Sequence, residues 1–369
     1  MLISVNNILT LMDICIIVGA RPNFVKVAPL VRAMQHHPGI SYHLVFAGRA
    51  DDPSLEPTLF DDLHMPRPDD YLDADSQSLN EITAQVMGRF DKYLDAHPTD
   101  VVIVVDDLAS TMAAAITAKK RGIRLAHLVA GTRSFDITMP KEINRLVIDA
   151  LSDYLFTAGI KSNSVATREQ QSESTQTFLV GNILMDTLRY NRSRLSKPAV
   201  AGMPDLEDEP YYVLTLNRKA LLAESESLRQ MLDELMRIGK PVIAPLRGNA
   251  RQVVQRLYPD AAQLHVIDPL SYLEFGWLAA HAKAIVTDSG NVAEEATFNG
   301  VPCMTLNDYT EHQETVTVGT NVLVGGNAQL FAECLGNVEQ GKWKHGGLPD
   351  RWDGRTAERI VQVLAGGAC

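Results

Sequence analysis

Asp100–Gly131 reads DVVIVVDDLASTMAAAITAKKRGIRLAHLVAG, and this stretch decides the fold class. The run DVVIVV is β-branched, STMAAAITAKKRG has the length and composition of a helix, and RLAHLV is again apolar and strand-like. A strand, a helix and a second strand in this order predict two parallel strands joined by a right-handed crossover. We therefore expect an α/β fold built on a parallel sheet.

The same alternation runs along the rest of the chain. It predicts a first series of strands at ICIIV, YHLVFA, YLFTA and TFLV, and a second at YYVLTL, PVIAPL, LHVID, AIVTD and PCMTL. Between the two series the pattern pauses at the proline- and acid-rich KPAVAGMPDLEDEP. We expect two doubly wound, Rossmann-like domains facing a central cleft, one over residues 1–181 and one over 182–369. The last helix either stays with the second domain or packs back on the first.

Composition excludes several classes of partner. The formal net charge is -11 and no dense basic run occurs, which argues against a nucleic acid or an anionic membrane as partner. The cysteines, Cys15, Cys303, Cys334 and Cys369, are widely spaced with no CxxC pair, which is typical of a reduced compartment and of a chain without a zinc site. The first residues, MLISVNNILTLMD, lack the basic start and cleavage site of a signal peptide. We expect a cytoplasmic protein that holds no metal.

The first candidate motif is VGARPNFVKVAPL, Val18–Leu30. Gly19 permits a tight turn after a strand, and Pro22 suits the first turn of a helix. The helix N-terminus, with Arg21 and Lys26, would bind an anion. The alternative is a plain strand-to-helix turn with two solvated cations. The motif is not GxGxxG, so NAD and FAD are disfavoured.

The second candidate motif is AIVTDSGNVAEEATFNGVPCMTL, Ala284–Leu306. A strand is predicted to end at Thr287 and a helix to open at Ser289 to Asn291, which leaves backbone N–H groups for a phosphate. Glu294 and Glu295 lie one turn along that helix, where a carboxylate can reach a ribose diol. Acidic residues near a helix N-terminus also occur simply as complements of the helix dipole. The combination favours a nucleotide site.

These motifs, with the order of the remaining segments, resemble the UDP-N-acetylglucosamine 2-epimerase family of the GT-B fold, in both its non-hydrolysing and its hydrolysing branch. The resemblance spans nearly the whole chain, through GARPNFVKVAPL, DDLASTMAAAITAKKRGIRLAHLVAGTRS, PKEINRLVIDALSDYLFT, VGNILMDTL, VLTLNR, DPLSYLEFGWL, TDSGNVAEE and GTNVLVG. It implies a UDP-sugar as ligand, no cofactor, and a homodimer. The family's reaction removes the C2 proton of the sugar, eliminates UDP to a glycal and adds UDP back with the proton on the other face.

The resemblance also implies which residues bind. Arg21 and Lys26 match positions that handle the diphosphate and the sugar, and the N-terminal domain would be the sugar and catalytic side. The positions that match the UDP side of the family's site, or line it, are Asn217, Phe275, Ser289, Gly290, Asn291, Glu295 and His312. Within that set, Ser289 and Gly290 match the phosphate-binding turn, Glu295 the ribose-binding carboxylate and Phe275 the aromatic residue near the uracil.

The catalytic positions are only partly retained. The residues that match are Asp107, Arg133, Glu142 and His127. The family's proton-transfer glutamate is replaced by Val129 and the first acid of its PEE motif by Lys141. Asn217 replaces a histidine, and His312 an arginine. The family's histidine and glycine before the aspartate are here Val105 and Asp106, and its GQH turn is Gly48, Arg49 and Ala50.

The exchanges remove several acid–base groups, each of which contributes roughly 10²- to 10⁴-fold to such a reaction. Asp106, His127 and Asp136 are candidate substitutes, as is Lys141 if burial lowers its pKa. Asp106 and Asp107 should point to opposite sides because strand side chains alternate. Three hypotheses follow. The first is a sugar-nucleotide enzyme of this family, epimerising or hydrolysing its substrate with an altered catalytic set. The second is a UDP-sugar-binding protein without turnover, and the third is a GT-B glycosyltransferase.

Overall fold

The computed structural model describes residues 11–204, 206, 209–223 and 225–366. Residues 1–10 of the segment inspected for a signal peptide, three acidic residues of the predicted linker and Cys369 lie outside this range. The described residues form two compact units. The first comprises the residues up to Thr187 together with those from Arg351 onward, and the second is Leu188–Asp350.

The first unit is built on a seven-stranded parallel sheet of order β3-β2-β1-β4-β5-β6-β7. Its strands are β1 (Met12–Val18), β2 (Ile40–Phe46), β3 (Asp70–Tyr71), β4 (Val101–Val105), β5 (Arg124–Ala130), β6 (Tyr154–Thr157) and β7 (Gln176–Leu179). Its helices are α1 (Arg21–Gln35), α2 (Pro57–Leu63), α3 (Leu79–Ala96), α4 (Ala109–Lys120), α5 (Pro140–Leu151), α6 (Ile160–Glu169) and most of α7 (Ile183–Asn191). The C-terminal helix, numbered last as α15 (Thr356–Leu364), packs against α1 in this unit.

The second unit has a six-stranded parallel sheet of order β10-β9-β8-β11-β12-β13. Its strands are β8 (Tyr212–Thr215), β9 (Val242–Pro245), β10 (Leu264–Ile267), β11 (Ala284–Thr287), β12 (Cys303–Thr305) and β13 (Asn321–Leu323). Its helices are α8 (Lys219–Ala223), α9 (Ser225–Arg237), α10 (Gly248–Leu257), α11 (Tyr272–Ala280), α12 (Gly290–Asn299), α13 (Glu314–Thr317) and α14 (Ala328–Glu339).

Both faces of the second sheet are covered by helices. Along β8, Leu214 packs into a core with residues of α9 and α14, whereas its neighbour Val213 packs into a separate core with residues of α11 and α12. Successive strand residues point to opposite faces. A strand buried on both sides therefore reads as a continuous apolar run, which is why VVIVV and YYVLTL carry no polar alternation.

The structure confirms the predicted α/β class with two doubly wound sheets. Every run that the sequence predicts as a strand overlaps one, and the helix predicted to open at Ser289 to Asn291 begins at Gly290. The short strands β3 and β13 were not predicted. Among the described residues, no helix is long and apolar enough to cross a bilayer.

Candidate functional site

The order of strands in the first unit identifies one edge of its sheet as the place for a ligand. Strands run outward in both directions from the adjacent pair β1 and β4, so the chain's connections leave a crevice at the carboxyl ends of these two strands. Open α/β sheets bind their ligands at such a switch point. The first candidate motif, which follows β1, and the pair Asp106 and Asp107, which follows β4, both lie at this edge.

The turn between β1 and α1 is closed from within. A Cβ on Gly19 would lie 2.1 Å from Ser110 Oγ, so any other residue would displace the Ser110 side chain. The buried Asn23 accepts hydrogen bonds through Oδ1 from the backbone N–H of Gly19 (3.0 Å) and of Ala20 (3.2 Å). The guanidinium of Arg21, at the first position of α1, lies 3.8 Å from Glu56. Part of the donor set expected to receive an anion is therefore already bonded to Asn23.

Lys26 is also engaged. Its Nζ lies 2.6 Å from Oδ1 of Asp106, and Asn23 Nδ2 donates to Oδ2 of the same carboxylate at 2.8 Å. The Lys26 side chain is 8% exposed, so this ion pair is nearly buried. Asp106 adopts φ +58, a left-handed conformation in which its carboxylate faces α1.

Asp107 belongs to a second ion cluster at the same edge. Arg145 on α5 donates to its carboxylate from Nε (2.9 Å) and Nη2 (2.5 Å), and Lys141 Nζ lies 3.3 Å away. Burial opposes ionisation of Asp107, but the charges of Lys141 and Arg145 outweigh it and hold its pKa below the usual value. Asp106 and Asp107 lie in the turn after β4 and bond to different helices. Asp107 is thus a carboxylate held in its charged form by two cations.

His127, on β5, is buried and bonded at both ring nitrogens. Nδ1 lies 2.5 Å from Oδ1 of Asp149, and Nε2 lies 2.9 Å from the backbone oxygen of Asp106. Both ring nitrogens therefore have partners within the protein, and the geometry describes a histidine that links Asp149 to the backbone of Asp106.

Arg133 completes the same cluster. Its Nη1 lies 2.7 Å from Oδ2 of Asp149, and its Nε and Nη2 contact Glu169 at 3.0 and 2.9 Å. Asp149 also accepts from the N–H of Gly131 at 3.0 Å. Burial raises the pKa of Asp149, but His127 and Arg133 lower it by more than burial raises it, so the pKa lies below the usual value. Arg133 is buried and structural in this arrangement.

Glu142 fixes the loop that follows β5. Its Oε2 accepts from the N–H (2.8 Å) and hydroxyl (2.9 Å) of Ser134, and its Oε1 accepts from the N–H of Phe135 at 3.1 Å. Arg145 Nη1 lies 3.2 Å from Oε2. Glu142 is fully buried, and its oxygens are bonded to the protein. The candidate substitute Asp136 is exposed and caps a turn at Thr138.

Val129, near the end of β5, has an unusual backbone. Its φ is +73, a region in which a β-branched residue is a genuine outlier. The pairing of β5 with β6 shifts register between Leu128 and Ala130, so Val129 is the extra residue of a bulge. Such strain persists where the surroundings determine it. Here the surroundings are the bonds of Gly131 and His127 to Asp149 on either side.

The second unit has its own switch point, between β8 and β11. The hydroxyls of Thr215 and Thr287, at the ends of these strands, lie 2.6 Å apart. The buried Asp288 accepts through Oδ2 from the N–H groups of Asn217 and Arg218, each at 2.7 Å. Asp288 thereby fixes the loop after β8, and Asn217 is placed at this edge by its backbone.

The N-terminus of α12 lies at this edge and is open. Ser289 is the N-cap residue, and its side chain makes no capping hydrogen bond among the described residues. A Cβ built on Gly290 would meet nothing within 4 Å. Asn291 occupies the next position of the first turn. Backbone N–H groups at such a helix start bind phosphate well.

Two buried glutamates lie one turn further along α12. Burial and the neighbouring Glu294 raise the pKa of Glu295 to about 8. Glu294 Oε1 lies 3.4 Å from Nδ1 of His312, which belongs to the loop after β12. Phe275 is half-buried on α11, and this helix packs against α12. The structure therefore gathers Ser289, Glu295 and His312 around one helix.

Sequence reasoning missed the partners in these clusters. Arg145 and Asp149 between them bond to all four catalytic candidates, and Asp288 organises the second edge. One signal was present for α5. Glu142, Arg145 and Asp149 are spaced three and four apart, so charged residues form the buried face of a helix, which is uncommon without partners.

Two doubly wound domains, each with polar residues gathered at the switch point of its sheet, define the class of nucleotide-binding proteins with the GT-B fold. The chain belongs to the UDP-N-acetylglucosamine 2-epimerase family, whose model matches residues 32–365. The UDP-N-acetylglucosamine 2-epimerase of Methanocaldococcus jannaschii is 32% identical over 96% of this chain and 100% of the relative. The UDP-2,3-diacetamido-2,3-dideoxy-D-glucuronate 2-epimerase of Pseudomonas aeruginosa is 31% identical over 96% and 99%.

Solved structures agree with this assignment. The crystal structure of the Methanocaldococcus jannaschii UDP-GlcNAc 2-epimerase in complex with UDP-GlcNAc and UDP is similar to this chain with a TM-score of 0.82. Its identity is 31%, and the match covers 96% of this chain and 100% of that one. The Neisseria meningitidis UDP-GlcNAc 2-epimerase, at 24% identity, a TM-score of 0.86 and coverages of 96% and 100%, shares the fold.

Proposed function

We propose that this protein is a sugar-nucleotide enzyme that acts on UDP-N-acetylglucosamine or a related UDP-N-acetylhexosamine with a catalytic set altered from that of the family. The observation that carries the proposal is the open N-terminus of α12, with the buried Glu295 one turn behind it. Backbone N–H groups at this helix start suit a diphosphate, and a carboxyl group one turn further along the helix suits a ribose diol. The relatives named above act on UDP-linked N-acetylated sugars, as their names state.

In this proposal the edge of the second sheet binds the nucleotide, and the edge of the first sheet carries groups for the diphosphate and the sugar. The first unit's edge carries Asp107, which Arg145 and Lys141 hold ionised; its lowered pKa makes it a weak base, so we assign it to the positioning of Lys141. Lys141 is 59% exposed, so it has access to solvent and to a ligand. We expect Lys141 to contact the substrate as a hydrogen-bond donor, with Asp107 holding it in place.

A second candidate function, UDP-sugar binding without turnover, is favoured by a specific observation. Internal contacts engage the polar atoms of His127, Arg133 and Glu142. By the resemblance, the apolar Val129 occupies the position of the family's glutamate. A protein with this arrangement would retain the site architecture while lacking groups for proton transfer on both faces of C2.

One experiment separates the two candidates. The protein is incubated with UDP-N-acetylglucosamine in D₂O, and NMR follows deuterium at C2, release of UDP, and formation of an epimer or a free sugar. An enzyme incorporates deuterium or releases UDP, and Lys141→Met reduces the rate. Measurable binding with neither exchange nor release contradicts the enzyme proposal for this substrate and supports the binding protein.

A second experiment tests the assignment of the binding residues. Calorimetric titration with UDP should show a loss of affinity of at least tenfold in Glu295→Ala and in Arg21→Ala. Matched controls are Glu333→Ala, an exposed glutamate on α14, and Arg124→Ala, an exposed arginine at the amino end of β5. UDP affinity equal to that of the wild type in both site variants would refute the assignment.

We also propose a cytoplasmic homodimer. The free and buried state of Cys15, Cys303 and Cys334 supports a reducing compartment. The dimer rests on the resemblance to the family and is tested by light scattering after size exclusion, where a monomeric mass would contradict it.

A further inference from the structure

The first unit contains a nearly buried ion pair, Asp106 with Lys26, to which the proposed function assigns no role. It lies at the carboxyl ends of β4 and β1, the adjacent strands from which the strand order of the first sheet runs outward in both directions. This is where a doubly wound sheet binds its ligand. An internal carboxylate therefore occupies the position at which the fold would place a ligand.

The backbone holds the Asp106 carboxylate in this position. Asp106 has φ +58, and both of its backbone groups are bonded to β5: its N–H donates to the carbonyl of Leu128 at 3.2 Å, and its carbonyl accepts from His127 Nε2 at 2.9 Å. Aspartate tolerates the left-handed region better than most residues. The conformation is therefore fixed by two partners that lie outside the ion pair.

The groups that Asp106 contacts are those that would bind an anion. Lys26 Nζ lies 2.6 Å from one carboxylate oxygen and Asn23 Nδ2 lies 2.8 Å from the other, at the first turns of α1. The Lys26 side chain is 8% exposed and the Asp106 side chain 16%. A lysine and an amide that bond both oxygens of a carboxylate offer the donors that a phosphate would use.

We propose that Asp106 is a specificity-determining residue whose carboxylate fills the anion-binding site formed by Lys26 and Asn23, so that these two residues do not bind an external anion. The inference goes beyond the proposed function because it concerns the charge of whatever group binds at this edge and needs no nucleotide. A phosphate that approached Lys26 would have to displace a bound carboxylate and would be repelled by it.

The test is calorimetric titration with inorganic pyrophosphate. Asp106→Asn keeps the side-chain shape and suits φ +58, but it removes the charge. We expect it to raise pyrophosphate affinity at least tenfold over the wild type. The gain should vanish in the double variant Asp106→Asn/Lys26→Met, because the cation is then absent. The matched control is Asp91→Asn, which removes an exposed aspartate paired with Arg121 on the surface and should leave affinity unchanged.

Three results would overturn the inference: equal affinity in Asp106→Asn and the wild type, an equal gain in Asp91→Asn, or a gain that persists without Lys26. If Asp106→Asn does not fold, Asp106→Gly is judged by the same outcomes, since glycine adopts φ +58 freely. A purely structural ion pair predicts reduced stability with no gain in affinity. UDP titration of the wild type reports separately on the proposed function, because its failure would leave the pyrophosphate result unaffected.

Discussion

The cluster around Asp149 gives the sharpest test of how the first unit is held together. Asp149→Ala removes a carboxylate that bonds His127 Nδ1 at 2.5 Å, Arg133 Nη1 at 2.7 Å and the N–H of Gly131 at 3.0 Å. Removing one partner of a buried ion pair costs about 3–5 kcal/mol because the other charge stays buried. Arg133 retains its contacts with Glu169, so we expect the lower end, about 3 kcal/mol.

In a domain of roughly 200 residues, a loss of about 3 kcal/mol lowers Tm by about 6–12 °C. Differential scanning calorimetry of the full chain measures this shift. Asp149→Asn, which keeps the volume but loses the charge, should give an intermediate value. Asp91→Ala serves as the control, because Asp91 pairs with Arg121 at the exposed surface and its removal should leave Tm unchanged.

The effect should depend on pH in a definite direction. His127 and Arg133 hold the pKa of Asp149 below its usual value despite burial. The stability that Asp149 contributes is therefore present above the unfolded pKa of about 3.9 and is lost as pH falls through the lower folded-state value. The difference between the wild type and Asp149→Ala should shrink in that acidic range. A Tm equal to that of the wild type at neutral pH would refute the structural role assigned to the cluster.

Two further predictions concern single positions. Burial raises the pKa of Glu295 to about 8, so the wild type should lose stability relative to Glu295→Gln as pH rises from the usual glutamate value through about 8. Urea unfolding at about pH 5 and about pH 9 measures this difference in stability, and Glu333→Gln is the control that should show no such trend. An equal difference between the wild type and Glu295→Gln at both pH values would contradict the prediction. Gly131 and Gly122 both have φ near +73, but of the two only Gly131 would place a Cβ against a backbone oxygen, that of Ser162, at 2.1 Å. Gly122→Ala should lower the free energy of unfolding by about 1 kcal/mol, and Gly131→Ala should lower it clearly more, as urea unfolding would measure. Equal losses in the two variants would show that the structure relieves the contact with Ser162.

The fold was largely predictable because its signals are local. Runs such as VVIVV and YYVLTL are buried on both faces, so they read directly as strands of a covered parallel sheet. The strands β3 and β13, of two and three residues, were missed since so short a run shows no periodicity. They form by pairing with a neighbour, Val45 with Asp70 in one case and Thr305 with Leu323 in the other.

The site was predictable only in part. Ser289 and Gly290 follow a strand and open a helix, and both the strand and the helix are visible in the local sequence. Asp149 and Arg145 were not singled out, because all of their partners named above except Glu142 lie 16 to 38 residues away, outside α5. Long charged side chains carry no sequence signal of the partner that they find once α5 packs against β5.

The sequence by itself determined the two series of strands and helices, the glycine turns and the helix that opens at Gly290, because each depends on residues adjacent in the chain. The tertiary structure alone decided where the charges go. Asp106 and Lys26 are 80 residues apart, and they meet because β1 and β4 are neighbours in the sheet. Because both side chains are nearly buried, each charge needs a partner, and the contact between them supplies it. Whether Lys26 is available to an anion is a property of that contact.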